Sequence, residues 1–176
     1  MESMYAESSV KKIREYKDFL YKMLIAIALL YTCLALFKFV GPLVGFMGIG
    51  FSIFFLPIIF GRFNVEYEYI LCDDQLDFDI IRGGTKRKHY LRVTLENAEY
   101  LAPNDNEKIK EFKIDTVCEL YSKRNDVEPY ALIVKKNDKM LKILFEPGAK
   151  VLKCMKYKLP RKYVLKDEDV NATEEI

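Results

Sequence analysis

The pattern of apolar and polar positions changes abruptly along the chain. From Phe19 to Gly61 apolar residues run together, and Lys22 and Lys38 are the charged side chains among them. Gly41-Pro42 interrupts the run near its middle. A bilayer core is about 30 Å thick and takes about 20 apolar residues per helix. The pattern therefore predicts two transmembrane helices, about 19–40 and 43–61, joined as a hairpin. A buried hairpin of a soluble domain would carry a polar stripe at helical spacing, whereas Leu43 to Phe60 has Ser52 as its one polar side chain. A cleaved signal peptide ends its short apolar core at a small-residue site. Here the run begins late and a second span follows at once. The uninterrupted run from Met23 to Phe37 is about 22 Å long at the helical rise. Lys22 and Lys38 bracket it, and their stems can lie along the helix with the ammonium groups at headgroup level.

Beyond Arg62 the period changes to two. In Val65–Leu71, Val65, Tyr67, Tyr69 and Leu71 share one face and Glu66 and Glu68 the other, which predicts a half-buried strand. Asp73-Asp74 supplies turn residues. Leu76, Phe78 and Ile80 then alternate with Asp77 and Asp79, and Gly83-Gly84 makes a second turn. A third strand is predicted over 87–95, with His89, Leu91, Val93 and Leu95 inward. A weak strand follows near 98–101, then a loop over 102–110 and strand character over 112–121. Residues 130–135 and 140–145 form a hairpin around Asn137-Asp138. Glu146-Pro147-Gly148 is a helix-start signal. Val151, Leu152, Met155 and Leu159 follow at helical spacing, so this helix lays one face on the sheet, and Pro160 stops it. The expected organisation is a basic N-terminal segment (1–18), the hairpin (19–61), a β domain (64–160) and an acidic, disordered tail (161–176).

Charge placement orients the hairpin. Lys11, Lys12, Arg14, Lys17 and Lys22 precede the first span, Arg62 follows the second, and Lys38 stands alone in the turn. The positive-inside rule then puts both termini in the cytoplasm of a multi-pass protein of the cell membrane. The formal net charge of +2 adds nothing to this. No carboxylate lies inside either span, which argues against a pump or transporter. Gly41, Gly45, Gly48 and Ser52 recur along the second span, and small residues on one face let helices approach closely. They fit packing against Ala26, Ala28 and Ala35 of the first span, or a homodimer through the hairpin. Pro57 frees the carbonyl of Ile53 and can kink the helix.

Catalytic material is sparse. The 4 cysteines, Cys33, Cys72, Cys118 and Cys154, form no Cys-x-x-Cys pair, so reduced thiols are expected rather than a zinc site or a disulfide framework. His89 is the single histidine, which leaves no material for a histidine metal site or a catalytic triad. Its inward strand position implies packing or a hydrogen bond. Asp73-Asp74 and Asp77/Asp79 fit a turn and an outer strand face better than a calcium loop. No nucleotide-binding glycine loop is present. The tyrosines and phenylalanines sit at strand and membrane positions, which excludes a base-stacking platform and nucleic-acid binding. Asn171-Ala-Thr173 matches a glycosylation acceptor, which a cytoplasmic tail makes irrelevant. No cofactor and no metal are expected. The basic cluster Arg82, Lys86, Arg87, Lys88 and Arg92 remains. Close to a bilayer it could hold anionic headgroups, at about 1 kcal/mol per residue; otherwise it is a solvated turn.

About seven antiparallel strands closed by one C-terminal helix is the element order of a pleckstrin-homology (PH)-like barrel, and residues 64 to 159 resemble that fold. Asn64-Val-Glu-Tyr-Glu-Tyr69 just after a two-helix hairpin, Leu76-Asp-Phe-Asp-Ile80, Lys86-Arg-Lys88 and Phe145-Glu-Pro147 resemble a family of small membrane proteins of low-GC Gram-positive bacteria. The likeness covers nearly the whole chain and implies no activity. PH domains that bind inositol phosphates place basic residues in their first strand–strand loop. Taken here as Cys72–Gln75, that loop is acidic, which argues against phosphoinositides. The expected function is a non-enzymatic, membrane-anchored cytoplasmic binding or scaffold module that recognises a protein partner or anionic membrane lipids. The alternative is a membrane-embedded enzyme or accessory subunit using the aspartate pairs.

Overall fold

The computed structural model describes residues 4–13, 16–61, 64–159 and 162–166. Arg14, Arg62 and Pro160 lie outside the described residues, as do the acidic stretch and the Asn171-Ala-Thr173 triplet within 167–176. The chain opens with a strand, β1 (Tyr5–Lys11), in the segment expected to be only a basic lead-in. Two long helices follow, α1 (Tyr16–Phe39) and α2 (Pro42–Gly61). Three strands come next, β2 (Val65–Cys72), β3 (Gln75–Arg82) and β4 (Lys86–Thr94), then a 3₁₀ turn at Leu95–Asn97. The chain continues with β5 (Ala98–Pro103), α3 (Glu107–Glu111), β6 (Thr116–Leu120), β7 (Tyr130–Lys136), β8 (Lys139–Phe145) and α4 (Ala149–Lys158).

The strands make two four-stranded sheets, β1-β2-β3-β4 and β5-β7-β8-β6. β1 pairs antiparallel with β2 from Tyr5 opposite Cys72 to Lys11 opposite Glu66. The two helices are thus an insertion into what would otherwise be a β-hairpin. Ala6 and Val10 point into the core, and Ser8 Oγ accepts from Gly148 N–H at 3.0 Å, tying β1 to the start of α4.

Antiparallel pairing throughout was expected, but β6 pairs with β8 in parallel, Thr116 opposite Leu141. The reason is the tight β7–β8 hairpin. Asn137 and Asp138 both have positive φ, 51° and 59°, as a two-residue primed turn requires. β8 must therefore lie beside β7, and β6 is left the outer edge. β7 is buried on both faces from Tyr130 to Val134, which explains its continuous apolar run. One of its faces packs Ala131 and Ile133 with Ala102, Leu144 and Ile109, the last from α3. That short helix occupies part of the expected loop, and Asn106 caps it through Oδ1 and Lys108 N–H at 3.1 Å.

Tyr69, Phe78 and Phe145 meet edge to face at 5.5 to 5.8 Å between ring centroids, a geometry aromatic pairs favour. Tyr69 Oη donates to the Leu120 carbonyl at 2.5 Å and accepts from Glu146 N–H at 3.4 Å, bridging β2, β6 and the lead into α4. Val151, Leu152 and Met155 are buried. Residues 162–166 continue the packed structure: Tyr163 bridges Leu101, and its hydroxyl donates to the Leu152 carbonyl at 3.1 Å.

The chain divides into two compact units. The strands with α3 and α4 form one. The other holds α1, α2 and the turn between β3 and β4. Both helices are long and apolar enough to cross a membrane, with mean hydropathies of 2.1 and 2.3. Cys33 is the buried residue of α1 and Gly45 that of α2. Gly45 packs on the Phe37 ring, a side chain added at Gly48 would meet Cys33 and Leu36 at 3.5 Å, and Ser52 Oγ lies 3.5 Å from Cys33 Sγ. Gly41, at φ +126°, belongs to the turn between the helices and has open space around it.

Candidate functional site

The sheet β1–β4 carries a charged network on the face away from the aromatic core. Alternation along β2 and β3 sends Tyr69, Leu71, Leu76 and Phe78 inward, so Glu66, Glu68, Asp77 and Asp79 project from the opposite face. β4 answers with cations. Arg87 Nη2 donates to Glu68 Oε1 at 2.7 Å, stands 2.6 Å from Oε2, and its Nε is 3.9 Å from Asp79 Oδ2. His89 Nδ1 is 2.9 Å from Asp79 Oδ1. Arg92 binds Asp77 with both arms, Nε at 2.5 Å and Nη2 at 2.7 Å. On β1, Tyr5 Oη donates to Glu7 Oε2 at 2.5 Å and Lys11 pairs with Glu66 at 3.4 Å.

His89 was expected to point inward. It and Arg92, three residues apart, both reach aspartates that share one face of β3, so the two-residue alternation of β4 resets between them. Val93 and Leu95 return to the core, while His89 stays half-exposed on the outer face.

Glu68 and Asp79 are buried although they face away from the core, at 5% and 8% exposure. Burial pushes the Glu68 carboxyl above the usual glutamate range; the Arg87 guanidinium opposes this, and contact with Glu7 and Asp79 reinforces it. The hydrogen bond from Tyr5 holds the exposed Glu7 below its usual range, aided by Glu68. In return the Tyr5 hydroxyl is pushed up, first by its bond to Glu7.

The basic cluster divides. Arg87 and Arg92 are committed to carboxylates. Arg82, Lys86 and Lys88 are exposed and have no ion-pair partner among the described residues. Arg82 and Lys86 flank the β3–β4 turn, where Gly83 (φ +64°) donates its N–H to the Asn64 carbonyl at 2.9 Å. A Cβ at Gly83 would come 3.3 Å from the Gly61 carbonyl oxygen at the end of α2. Glycine thus serves twice here, for the left-handed backbone and for the close approach.

β1 also changes which connection comes first. The β1–β2 connection is the helical pair itself, so Cys72–Gln75 is the second connection and lies at the other end of the sheet, where Asp73 N–H donates to the Met4 carbonyl at 2.8 Å. Alternate turns of an antiparallel meander share an end. The basic turn therefore stands at the strand ends from which the helices are inserted.

The carboxylate partners were visible in the sequence only as acids on outer faces. Charged residues of opposite sign on adjacent strands are the signal that pairs Arg92 with Asp77 and His89 with Asp79, whereas Arg87 reaches past β3 to Glu68. No group of three or more histidine, cysteine or acidic side chains able to hold a metal occurs among the described residues.

The described residues thus make two four-stranded sheets with a C-terminal helix, the helical pair being inserted between β1 and β2. The chain belongs to the family Bacterial PH-like domain (DUF6106), which it matches over residues 2–165. No curated protein and no solved structure matches the chain.

Proposed function

We propose that this protein is a membrane-anchored binding module whose β3–β4 turn meets anionic lipid headgroups at the cytoplasmic membrane face. The carrying observation is the packing of that turn against the end of α2. If α2 crosses the bilayer, Arg82 and Lys86 would lie near the level where an apolar helix of this length leaves the hydrocarbon. Three further features support the reading. α1 and α2 leave most of their apolar surface exposed, unlike helices of a soluble core. The pairing of β1 with β2 ties α1 to a strand on its N-terminal side, which a cleaved signal sequence would lose. Asp77 and Asp79 are engaged by Arg92 and by His89 with Arg87, which favours a binding module over an enzyme built on the aspartates. The Gly45–Gly48–Ser52 stripe packs on α1 of the same chain, so a homodimer through the helices would use another face.

The chain contains 0 tryptophans, so one introduced residue gives a clean depth report. In the full chain, in bilayers of mixed neutral and anionic lipid, Thr85→Trp should show blue-shifted emission quenched by headgroup-level quenchers. Changing Lys86 and Lys88 to Gln should weaken the quenching, and added salt should do the same, because exposed charges are screened within about 10 Å at 0.1 M. Water-like emission insensitive to lipid charge refutes lipid contact and turns the search to a protein partner, best captured by cross-linking in cells.

A further inference from the structure

We propose that Glu68 is a proton-binding site of the domain, and that its occupancy decides whether Arg87 is held on the sheet or released beside Lys86 and Lys88. Ser9 stands opposite Glu68 and Glu7 opposite Ile70, so Glu7 and Glu68 are diagonal neighbours on one face of the β1–β2 pair. Diagonal neighbours stand about 7–8 Å apart, within reach of two long side chains. Two carboxyl groups can share a hydrogen bond only when one of them carries a proton.

Glu68 is the one that takes it. It is 5% exposed while Glu7 is open to water, and burial penalises the charged form. Its Oε2 is buried and accepts no hydrogen bond of good geometry among the described residues, despite the nearby guanidinium. That oxygen is the position at which a proton would add. Burial, the first of the influences on Glu68, acts in the same direction.

The groups facing Glu68 come from each neighbouring element. β1 presents Glu7, with Tyr5 behind it. β3 presents Asp79. β4 presents Arg87, with His89 on the far side of Asp79. On its own strand Glu66 is occupied by Lys11. Three carboxyl groups therefore surround one guanidinium. With Glu68 ionised, Arg87 has its two short contacts there. With Glu68 protonated, Arg87 retains Asp79 at 3.9 Å, beyond hydrogen-bonding distance. The loosened cation then adds to Lys86 and Lys88 on either side of it, which have no ion-pair partner among the described residues. The proton site does not depend on the lipid reading; its consequence, stronger headgroup attraction at lower pH, does.

The test uses the full chain in nanodiscs of neutral phosphatidylcholine, with carboxyl-¹³C glutamate and ¹⁵N arginine. The Glu68 carboxyl should titrate above the ordinary value of about 4.3, and the Arg87 guanidinium signals should move with the same midpoint. Glu68→Gln should abolish the Arg87 transition and leave its signals at their low-pH positions. Glu7→Gln, at an exposed position that preserves the fold, should move the Glu68 midpoint down. Titration of Glu68 at or below the ordinary value, pH-independent Arg87 signals, or an unmoved midpoint in Glu7→Gln overturns the proposal. Because the discs are neutral, such a failure is separate from failure of the lipid reading, which the Thr85→Trp measurement decides.

Discussion

Replacing residues 12–65 by a four-residue turn should give a soluble protein that keeps the PH-like fold. Lys11 stands opposite Glu66 at the open end of the β1–β2 pair, so a short turn can close it without changing the register. Shortening the connection from about fifty residues to four lowers its closure entropy by about 2 kcal/mol. The comparison is a chain starting at residue 64, which lacks β1. That chain gives up the burial of Ala6 and Val10 and the bond from Gly148 to Ser8. Together these are worth about 3–5 kcal/mol before the cost of ordering the strand. It also exposes β2 as a bare edge. Since a whole domain is stable by only about 5–15 kcal/mol, the truncated chain should be marginal or aggregated. Urea denaturation followed by circular dichroism, with amide-proton spectra, distinguishes the two. Equal stability of both proteins, or an unfolded short-turn protein beside a folded truncated one, refutes the placement of β1 and with it the insertion.

Tyr69→Phe should destabilise this short-turn protein by about 1–3 kcal/mol, because it strands the Leu120 carbonyl in a fully buried position; a change within the error of the denaturation midpoint counts against that bond. Reporter domains joined to the two ends of the full chain should both report the cytoplasm, and opposite signals would break the hairpin reading. Stability should also respond to pH through Glu68. Its raised carboxyl contributes stability that is full below the ordinary glutamate range and is lost as pH rises through the folded midpoint, while the lowered Glu7 loses its contribution as pH falls. Glu68→Gln should therefore flatten the higher-pH limb of the profile, and an unchanged limb would remove Glu68 as its cause.

The apolar run, the turn at Gly41-Pro42, the alternation of β2 and β3, and the buried face of α4 were legible because each repeats a period over several residues. β1 was not. Its inward positions are Ala6, Ser8 and Val10, too small and too mixed to stand out, and its partner lies beyond both helices. The parallel edge β6 depends on where the β7–β8 turn sends β8, a relation between distant segments rather than a local pattern. His89 was misplaced because alternation assumes an unbroken register, and β4 resets it. At the site, the cations were found and their partners were not. A run such as Lys86-Arg-Lys88 looks uniform in sequence, yet the pleat turns Arg87 toward Glu68 and leaves the flanking lysines without a carboxylate among the described residues. The buried Glu68 looked like an ordinary solvent-facing acid because the side chains that cover it come from β1 and β4.

The pairing of β1 with β2 also sets an order of events during synthesis. The ribosome makes β1 first, and this strand has no partner until both helices and then β2 have been made. If the helices enter the bilayer as a pair, β1 must wait on the cytoplasmic side until the second one returns the chain there. A helix left uninserted, or threaded only once, separates the two strands by the width of a membrane. The domain could not then close, and its sheet edges would stay open to proteases. On the membrane reading proposed above, completion of the β1–β2 ladder would act as a checkpoint: the globular part would mature only in molecules whose two helices had been threaded correctly.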